Sequence, residues 1–359
     1  ADWPVVRFQP WGLSCDDTGT RFAITDEFNL FYGSLESSGV VTADLQVNGE
    51  RVAPGLSLNG LRPAPSCPAL EGQTMRDVAM VCQSPKSSEF MTEEKRHCTA
   101  LVLHEKGHRL AECPVSGDYQ VDGEERHLDE RGAPILQGDY SEIVWDISAK
   151  WLRGDEEIMS VAVDAKCIRQ QMKASSSSHL TGLPISKRDA CLVVGTNDGR
   201  MVHLRKHLKQ DNQLVPAGAL WNIFHNGAES QVLATSLLTI LPGGILLALR
   251  NAQRGMHTFD MATGKSLGKW ELPQRHGRTW SAVCGGLDYL FMLSTSVDGG
   301  EGEAELWRFP VPEELKEAAV QAKAATVAAP GPAAAATKPS MLAPAPASVF
   351  IPRGAAAGA

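Results

Sequence analysis

Short apolar runs separated by turn-forming residues recur along residues 8–309, and they predict strands rather than helices. The runs group into strand-turn-strand units that return at intervals of roughly 40 to 80 residues, the scale on which the blades of a β-propeller repeat. Long apolar helical stretches are absent before residue 313. The pattern therefore predicts an all-β protein, a β-propeller of about five blades, with a sixth only if residues 40–75 contain another.

The first unit, residues 8–29, has two apolar strands around an Asp-x-x-Gly turn in which the glycine supplies a positive φ. Its order of residues resembles an NHL repeat, a propeller repeat that runs Pro-x-Gly, strand, Asp-x-x-Gly, strand ending in Asp, then Asn. The matching positions are Pro10, Gly12, Asp16, Gly19, Asp26 and Asn29. The resemblance covers this stretch only, and it implies a propeller blade here.

Four further units follow, and each is predicted to form a blade. The second spans residues 77–147, and the third spans residues 159–204 with a hairpin signal at 197–199. The fourth spans residues 236–272, and its segment 256–272 resembles a repeat of quinoprotein-type propellers, with a turn after Asp260 followed by Trp270.

The fifth unit, residues 280–309, shows only three strands. A blade normally has a fourth, and the N-terminal segment 3–8 has no blade of its own. We expect this segment to supply the missing outer strand, because such closure removes exposed sheet edges.

Composition divides the chain into three parts. Residues 1–312 are predicted to form the propeller, residues 313–329 a short helix, and residues 330–359 an extended tail rich in alanine and proline. Two insertions, residues 114–140 and 168–190, are predicted to be surface loops. Within the tail, Val349, Phe350 and Ile351 form an apolar cluster that we expect to dock on a partner, with a disordered end as the alternative.

Charge and hydropathy argue against two classes of partner. The formal net charge is −8 without a basic stripe, so the attraction that nucleic acid binding needs is missing. No run of about 18 apolar residues occurs, so no membrane span is expected. The sequence begins at Ala1, which favours removal of a targeting segment and a lumenal or organellar compartment such as the thylakoid lumen, although a sequence cut at an arbitrary point would look the same.

Two groups of candidate metal ligands occur in segments whose predicted structure does not suit a metal site. The string from His104 to His108 matches the bare His-Glu-x-x-His zinc pattern, but its neighbours predict two strands around a turn where that site needs a helix. We therefore expect a blade hairpin with solvated histidines. A group of acidic residues near the first turn could hold a cation, but capping of their own turns is the favoured interpretation: Asp16, Asp17, Asp26 and Glu27.

The eight cysteines contain no Cys-x-x-Cys pair and are scattered along the chain. Buried free thiols that pack as small hydrophobic side chains are expected. One disulfide among four of them, Cys67, Cys82, Cys98 and Cys113, is the alternative. The sequence leaves their redox state open.

Together these features predict a non-catalytic, protein-binding scaffold that is an accessory subunit of a larger assembly, on the lumenal side of a membrane complex such as a photosystem. No catalytic, cofactor-binding or metal-binding residues are proposed, and no cofactor is expected. The alternative is a propeller enzyme, or a binder of a small ligand or metal, that uses the central channel. The predicted inner strands are mainly apolar, which favours the scaffold.

Overall fold

The computed structural model describes residues 12–16, 19–34, 42–44, 49–53, 61–63, 67–82, 98–116, 143–147, 149–164, 167–168, 191–217, 221–222, 235–241, 244–250, 255–261, 266–272, 277–286, 288–296 and 305–317. These residues form a β-propeller of five blades, as the apolar pattern predicts. Four blades have four strands and the fifth has five, in order outward from the centre, and neighbouring strands within a blade pair antiparallel.

The first three blades use the strands as they occur along the chain, except that blade 1 receives its outer strand from residues 61–63. Blade 1 contains β1 (Gly12–Cys15), β2 (Arg21–Thr25), β3 (Leu30–Ser34) and β6 (Leu61–Pro63). The two strands between β3 and β6 in the chain belong to another blade. Blade 2 contains β7 (Met75–Cys82), β8 (Cys98–His104), β9 (Arg109–Ser116) and β10 (Ile143–Ile147). Blade 3 contains β11 (Ile158–Val163), β12 (Leu192–Thr196), β13 (Arg200–Lys206) and β14 (Gln213–Pro216), with β15 (Trp221–Asn222) beside β13.

Blades 4 and 5 complete the ring. Blade 4 contains β16 (Thr235–Leu241), β17 (Ile245–Arg250), β18 (Gly255–Asp260) and β19 (Ser266–Glu271). Blade 5 contains β20 (Arg278–Gly285), β21 (Tyr289–Ser296) and β22 (Glu305–Pro310), followed by β5 (Gly49–Ala53) and β4 (Thr42–Asp44). The innermost strands β1, β7, β11, β16 and β20 contact one another in a closed ring.

The outer strand of blade 5 corrects one prediction. The position beside β22 is taken by β5, with Leu306 opposite Ala53 and Trp307 opposite Arg51, and β4 pairs with the far side of β5. The segment 3–8, which was predicted to fill this position, lies outside the described residues. The described strands between residues 40 and 75 do not form a sixth blade. Two of them, β4 and β5, belong to blade 5, and β6 belongs to blade 1.

The core lies between the blades rather than at the centre of one sheet. One cluster of buried apolar residues joins blades 1, 4 and 5, and includes Phe22, Met256 and Phe291, with the Phe22 and Phe291 rings edge to face at 5.0 Å. Separate clusters fill the interfaces of blades 2 and 3, blades 1 and 2, and blades 3 and 4. Blades 2 and 3 are further joined at their outer edges, where β10 and β14 pair in parallel.

All eight cysteines are paired in disulfides, so the expectation of free buried thiols is wrong. The pairs are Cys15–Cys284, Cys67–Cys113, Cys82–Cys98 and Cys167–Cys191. The first joins the inner strands of blades 1 and 5 across a sequence separation of 269 residues, and its Cα atoms are 5.8 Å apart. The ring is therefore closed covalently as well as by β5.

Of the segments predicted to lie outside the blades, the structure describes only the first few residues of the C-terminal helix and of each insertion. The chain is helical over residues 313–317, the start of the predicted helix 313–329, and Leu315 packs into the cluster of blade 5. The first predicted insertion begins later than expected, because β9 continues to Ser116. The tail 330–359 lies outside the described residues. Within the described part of the chain, no helix has the length and hydropathy to cross a bilayer.

Candidate functional site

The order of the strands gives the ring two unlike faces. The chain enters each blade at one face of the ring, which we call the entry face. This face also carries the connections between the second and third strands of each blade, among them the short connections 105–108 and 197–199. The opposite face, which we call the insertion face, carries the connections between first and second strands and between third and fourth strands. The long connections of blades 1 to 3 all start and end there: 35–60, 83–97, 117–142 and 164–191.

Disulfides lie at the base of two of these insertions. Cys82 ends β7 and is bonded to Cys98, the first residue of β8, so the bond ties the two ends of the connection 83–97 together. Cys167 and Cys191 do the same for the connection between β11 and β12. Cys15 and Cys284 also lie near the ends of their strands at the insertion face. This face therefore has a covalently fixed frame.

Asp77, near the start of β7, is the most unusual ionisable residue of the described chain. Its carboxyl accepts hydrogen bonds from its own neighbour Val78 N–H at 2.9 Å and from Val161 N–H of blade 3 at 2.8 Å. Burial raises the pKa of Asp77 to about 8, although the hydrogen bonds from Val161 and Val78 oppose the shift. Burial thus favours the neutral form of the carboxyl, which joins blade 2 to blade 3.

Blade 1 approaches the same carboxyl through a glycine. A Cβ on Gly12 would come within 2.8 Å of Asp77 Oδ1 and 2.6 Å of Thr25 Oγ1. Any side chain at position 12 would therefore force the inner strands of blades 1 and 2 apart. Thr25 Oγ1 is buried and has no hydrogen-bond partner among the described residues. Asp77 consequently lies where three blades meet, in a space with no room for a larger group.

Other polar side chains of the inner strands also bridge blades. Met80 N–H of blade 2 donates to Ser14 Oγ of blade 1 at 2.8 Å, and Gly285 N–H of blade 5 donates to Thr239 Oγ1 of blade 4 at 3.1 Å. Each of these side chains is used to hold the next blade. The inner strands were predicted to be mainly apolar, and three of the polar side chains that they carry, Ser14, Asp77 and Thr239, make contacts that hold blades together.

A buried ion pair fixes the entry face of blade 3. Arg200, 2% exposed, donates from Nε to Glu156 Oε1 at 2.6 Å and from Nη2 to Glu156 Oε2, and its guanidinium lies 5.6 Å from the ring centre of Trp151. Burial alone would raise the pKa of Glu156, but the hydrogen bonds from Arg200, Thr196 and Arg153 outweigh it and hold the pKa below its ordinary value. The pair ties the segment before β11 to β13.

A second ion pair crosses from blade 2 to blade 3 at the same face. Arg76 donates to Glu157 Oε2 at 2.6 Å and to the carbonyl oxygen of Ile158 at 3.2 Å. Next to it, Gly107 of the blade 2 hairpin packs so tightly on Ile158 that a Cβ there would lie 2.3 Å from its carbonyl oxygen. With Asp77, these contacts join blades 2 and 3 at several points along their seam.

The structure confirms the hairpin prediction for the His104–His108 string and corrects the prediction of solvated histidines. His104 ends β8, residues 105–107 form the turn, and β9 begins at Arg109. However, His104 is only 1% exposed, and neither ring nitrogen has a hydrogen-bond partner among the described residues. Burial lowers the pKa of His104, so its ring is neutral at neutral pH.

The acidic residues of the first unit cap turns, as the favoured interpretation predicted. Asp16 Oδ1 accepts the N–H groups of Thr20 and Arg21 at 2.8 and 3.0 Å, and Asp26 Oδ1 accepts those of Phe28 and Asn29 at 2.9 and 2.6 Å. The two carboxyls lie at opposite ends of β2, so they do not form one cation site. Asp17 lies outside the described residues. No group of three potential ligands is placed to bind a metal ion in the part of the chain described.

The residues proposed to bind a partner, Val349, Phe350 and Ile351, lie outside the described residues. Four residues with buried or inter-blade polar contacts were not predicted from the sequence: Asp77, Arg76, Arg200 and Glu156. Only Asp77 had a local signal in the sequence, since an aspartate directly before the apolar run 78–82 is unusual in a buried strand. The partners of these residues lie far away in sequence, and no periodicity points to them.

Neither a protein-family model nor a curated protein matches this sequence. Among solved structures, the Cps50 (Swd1) β-propeller domain of Myceliophteria thermophila aligns over 85% of this chain and 84% of its own, at 11% identity and TM-score 0.36. Raptor of Chaetomium thermophilum aligns over 85% of this chain and 28% of its own, at 9% identity and TM-score 0.37. Virginiamycin B lyase of Staphylococcus aureus aligns over 86% of each chain, at 7% identity and TM-score 0.33. Similarities this distant say nothing about function, and the propeller assignment rests on the strand pairing.

Proposed function

We propose that this propeller is a non-catalytic scaffold that binds a partner protein through its insertion face. The observation that carries the proposal is the placement of the long connections. Those of blades 1 to 3, namely 35–60, 83–97, 117–142 and 164–191, leave the ring at one face, and each is longer than the entry-face connections 105–108, 197–199 and 223–234. Rigid blades that hold variable connections at fixed positions are the usual way in which a propeller presents a binding surface.

The disulfides support this proposal in two ways. Cys82–Cys98 and Cys167–Cys191 fix the points at which two insertions leave the ring, and a fixed base reduces the entropy that binding must overcome. The pairing of all eight cysteines also favours an oxidising compartment, because thiols in the cytosol are kept reduced. A lumenal position is consistent with such an environment.

The polar residues that an enzyme would need are used within the fold. Both oxygens of Asp77 accept backbone N–H groups, Glu156 is bonded to Arg200, and Ser14 and Thr239 bridge blades. A catalytic group must reach a substrate, and these side chains face other parts of the protein. This use of the inner polar residues favours a scaffold over an enzyme of the central channel.

We propose an accessory subunit on the lumenal side of a membrane complex such as a photosystem, peripheral to the membrane, with a first blade of the NHL type. The apolar segment Val349–Phe350–Ile351 is proposed to be a second contact, since it is the apolar run of an otherwise Ala/Pro-rich tail.

The test is co-purification of the native protein at low salt, followed by mass spectrometry of whatever accompanies it. A variant in which residues 169–189 are replaced by a short Gly/Ser linker keeps Cys167 and Cys191 and should lose a stoichiometric partner. Replacement of residues 223–233, in an entry-face connection, is the matched control and should retain it. A chain that ends after Pro330 should bind more weakly, because one of two linked contacts is gone.

Two results would count against the scaffold. If the native protein runs alone and carries a small ligand or metal, the central channel becomes the functional site. If the entry-face replacement loses the partner and the insertion-face replacement keeps it, the faces are assigned the wrong way round.

A further inference from the structure

Blade 4 has an outer edge unlike those of the other described blades. The outer strands of blades 2 and 3 pair with each other, blade 5 is extended by β4, and blade 1 ends in the three-residue β6. The outer strand of blade 4, β19, has six residues and pairs only with β18 among the described strands. Its outward backbone groups form the longest free edge in the described part of the ring.

The free edge of β19 is regular over its second half. The pairing with β18 shifts register between Thr258 and Phe259, where Leu267 is the extra residue, and it is continuous from Gly268 to Glu271. A strand of four residues could pair with this stretch. Leu267 and Trp270 are half-buried and pack on the apolar cluster of blades 1, 4 and 5, so a strand at this edge would also contact apolar surface.

The C-terminal part of the chain starts at the apolar cluster on which β19 packs. Leu315, in the helical residues 313–317, belongs to the same apolar cluster as Leu267 and Trp270, and the Trp270 ring lies 6.0 Å from that of Phe309. The residues that follow are rich in alanine and proline. Their β-branched and aromatic run is Val349–Phe350–Ile351, and Pro346 and Pro352 limit it to the length of one short strand.

We propose that the segment Ser348–Ile351 of the same chain pairs with Gly268–Glu271 as a fifth strand of blade 4, and that a partner protein must displace it to use the tail. The proposal rests on the tail contact proposed above and adds its regulation. Thirty residues, 318–347, join residue 317 to this segment, a length of about 45 Å even if they were wholly helical and more if extended, which is enough to reach β19 from residue 317. Such a link gives an effective concentration of about a millimolar, which favours the tail of the same chain over that of a second copy.

Hydrogen exchange of the β19 amides tests the proposal. In the full chain, the amides among residues 268–271 that point away from β18 should exchange at least about 10-fold more slowly than in a chain that ends after Lys338, because an added strand gives them acceptors. Phe350→Asp should behave like the truncated chain, and Ala356→Asp, which adds the same charge outside the segment, should behave like the full chain. A synthetic peptide of residues 343–355, added to the truncated chain, should restore the protection in a saturable way.

Other outcomes of the exchange experiment would contradict the proposal. Equal exchange in all these variants would overturn the proposal, and protection that disappears on dilution would assign the edge to the tail of a second copy. A full chain that loses its partner on truncation but shows no change at β19 would keep the scaffold and reject the stored strand. A protected β19 edge in a protein without any partner would reject the scaffold and keep the stored strand.

Discussion

At the scale of single residues, Asp77 makes the stability of the ring depend on pH. Its pKa is about 8 in the folded protein against 3.8 without burial, so the folded state holds one more proton than the unfolded state between these values. The free energy of unfolding should therefore fall as pH rises from about 4 to about 8, by up to about 1.4 kcal/mol per pH unit from this group. Below about pH 4 the group is protonated in both the folded and the unfolded state, so the free energy of unfolding no longer changes with pH because of it.

Replacement of Asp77 by asparagine should remove this slope, because the amide does not ionise. The measurement is the free energy of unfolding from denaturant titrations at several pH values between 5 and 8. The absolute stability of Asp77→Asn is not the test, since the amide cannot accept both N–H groups that the carboxyl accepts. Asp155→Asn, at an exposed carboxyl, is the control and should keep the slope of the native chain. Equal slopes in both variants would show that Asp77 is ionised in the folded state.

What could be predicted at individual residues depended on how local their contacts are. Asp16 and Asp26 cap turns within five residues of themselves, so their sequence pattern was sufficient to predict their role. Asp77 acquires its high pKa from burial beside Val161, which is 84 residues away, and Arg200 meets Glu156 across 44 residues. His104 was predicted to be solvated because its hairpin was recognised while the blade that covers it was not.

At the scale of elements, the strands were predictable because each blade repeats a local pattern of apolar runs and turns. The disulfides were not, because pairing depends on which strand ends the ring brings together. Cys82 and Cys98 meet because β7 and β8 are neighbours, whereas Cys15 and Cys284 meet only because the first and last blades close on each other. Spacing in the sequence gives no information about the second kind of pair.

The Cys15–Cys284 bond should contribute more stability than a local bond. In the chain-entropy model, a cross-link stabilises by restricting the unfolded chain, and the effect grows with the logarithm of the loop it closes. The separations are 269 residues for Cys15–Cys284 and 16 for Cys82–Cys98. Replacing Cys15 and Cys284 by serine should therefore cost about 2 kcal/mol more than replacing Cys82 and Cys98.

The comparison uses equilibrium unfolding in urea without reductant, with both double variants measured beside the native chain. Both variants exchange two sulfur-bonded cysteines for serines near the insertion face, so the polar change is matched. Equal losses would mean that the seam between blades 1 and 5 is held by its apolar core, with rings such as Phe22 and Phe291, even in the unfolded ensemble.

At the scale of the whole molecule, the ring closes on a strand taken from inside the chain. β5 lies between β22 and β4 in the sheet of blade 5, yet it belongs in sequence between strands of blade 1. The first and last blades thus share the segment 35–60, and neither is complete without the other. The sequence pattern predicted that such a strand was needed and assigned it to residues 3–8, because that segment precedes the first repeat and has no blade of its own.

The two assignments of the closing strand predict different effects of mutation. Because β5 pairs on both sides, proline at position 51 removes a backbone donor from the sheet, and Arg51→Pro should lower the free energy of unfolding by at least about 2 kcal/mol. Deletion of residues 1–8 removes none of the pairing described at this seam and should change stability by less than about 1 kcal/mol. Urea unfolding of both variants gives the ranking. If the deletion is the more destructive change, the N-terminal segment contributes to closure as well, and the ring depends on both ends of blade 1.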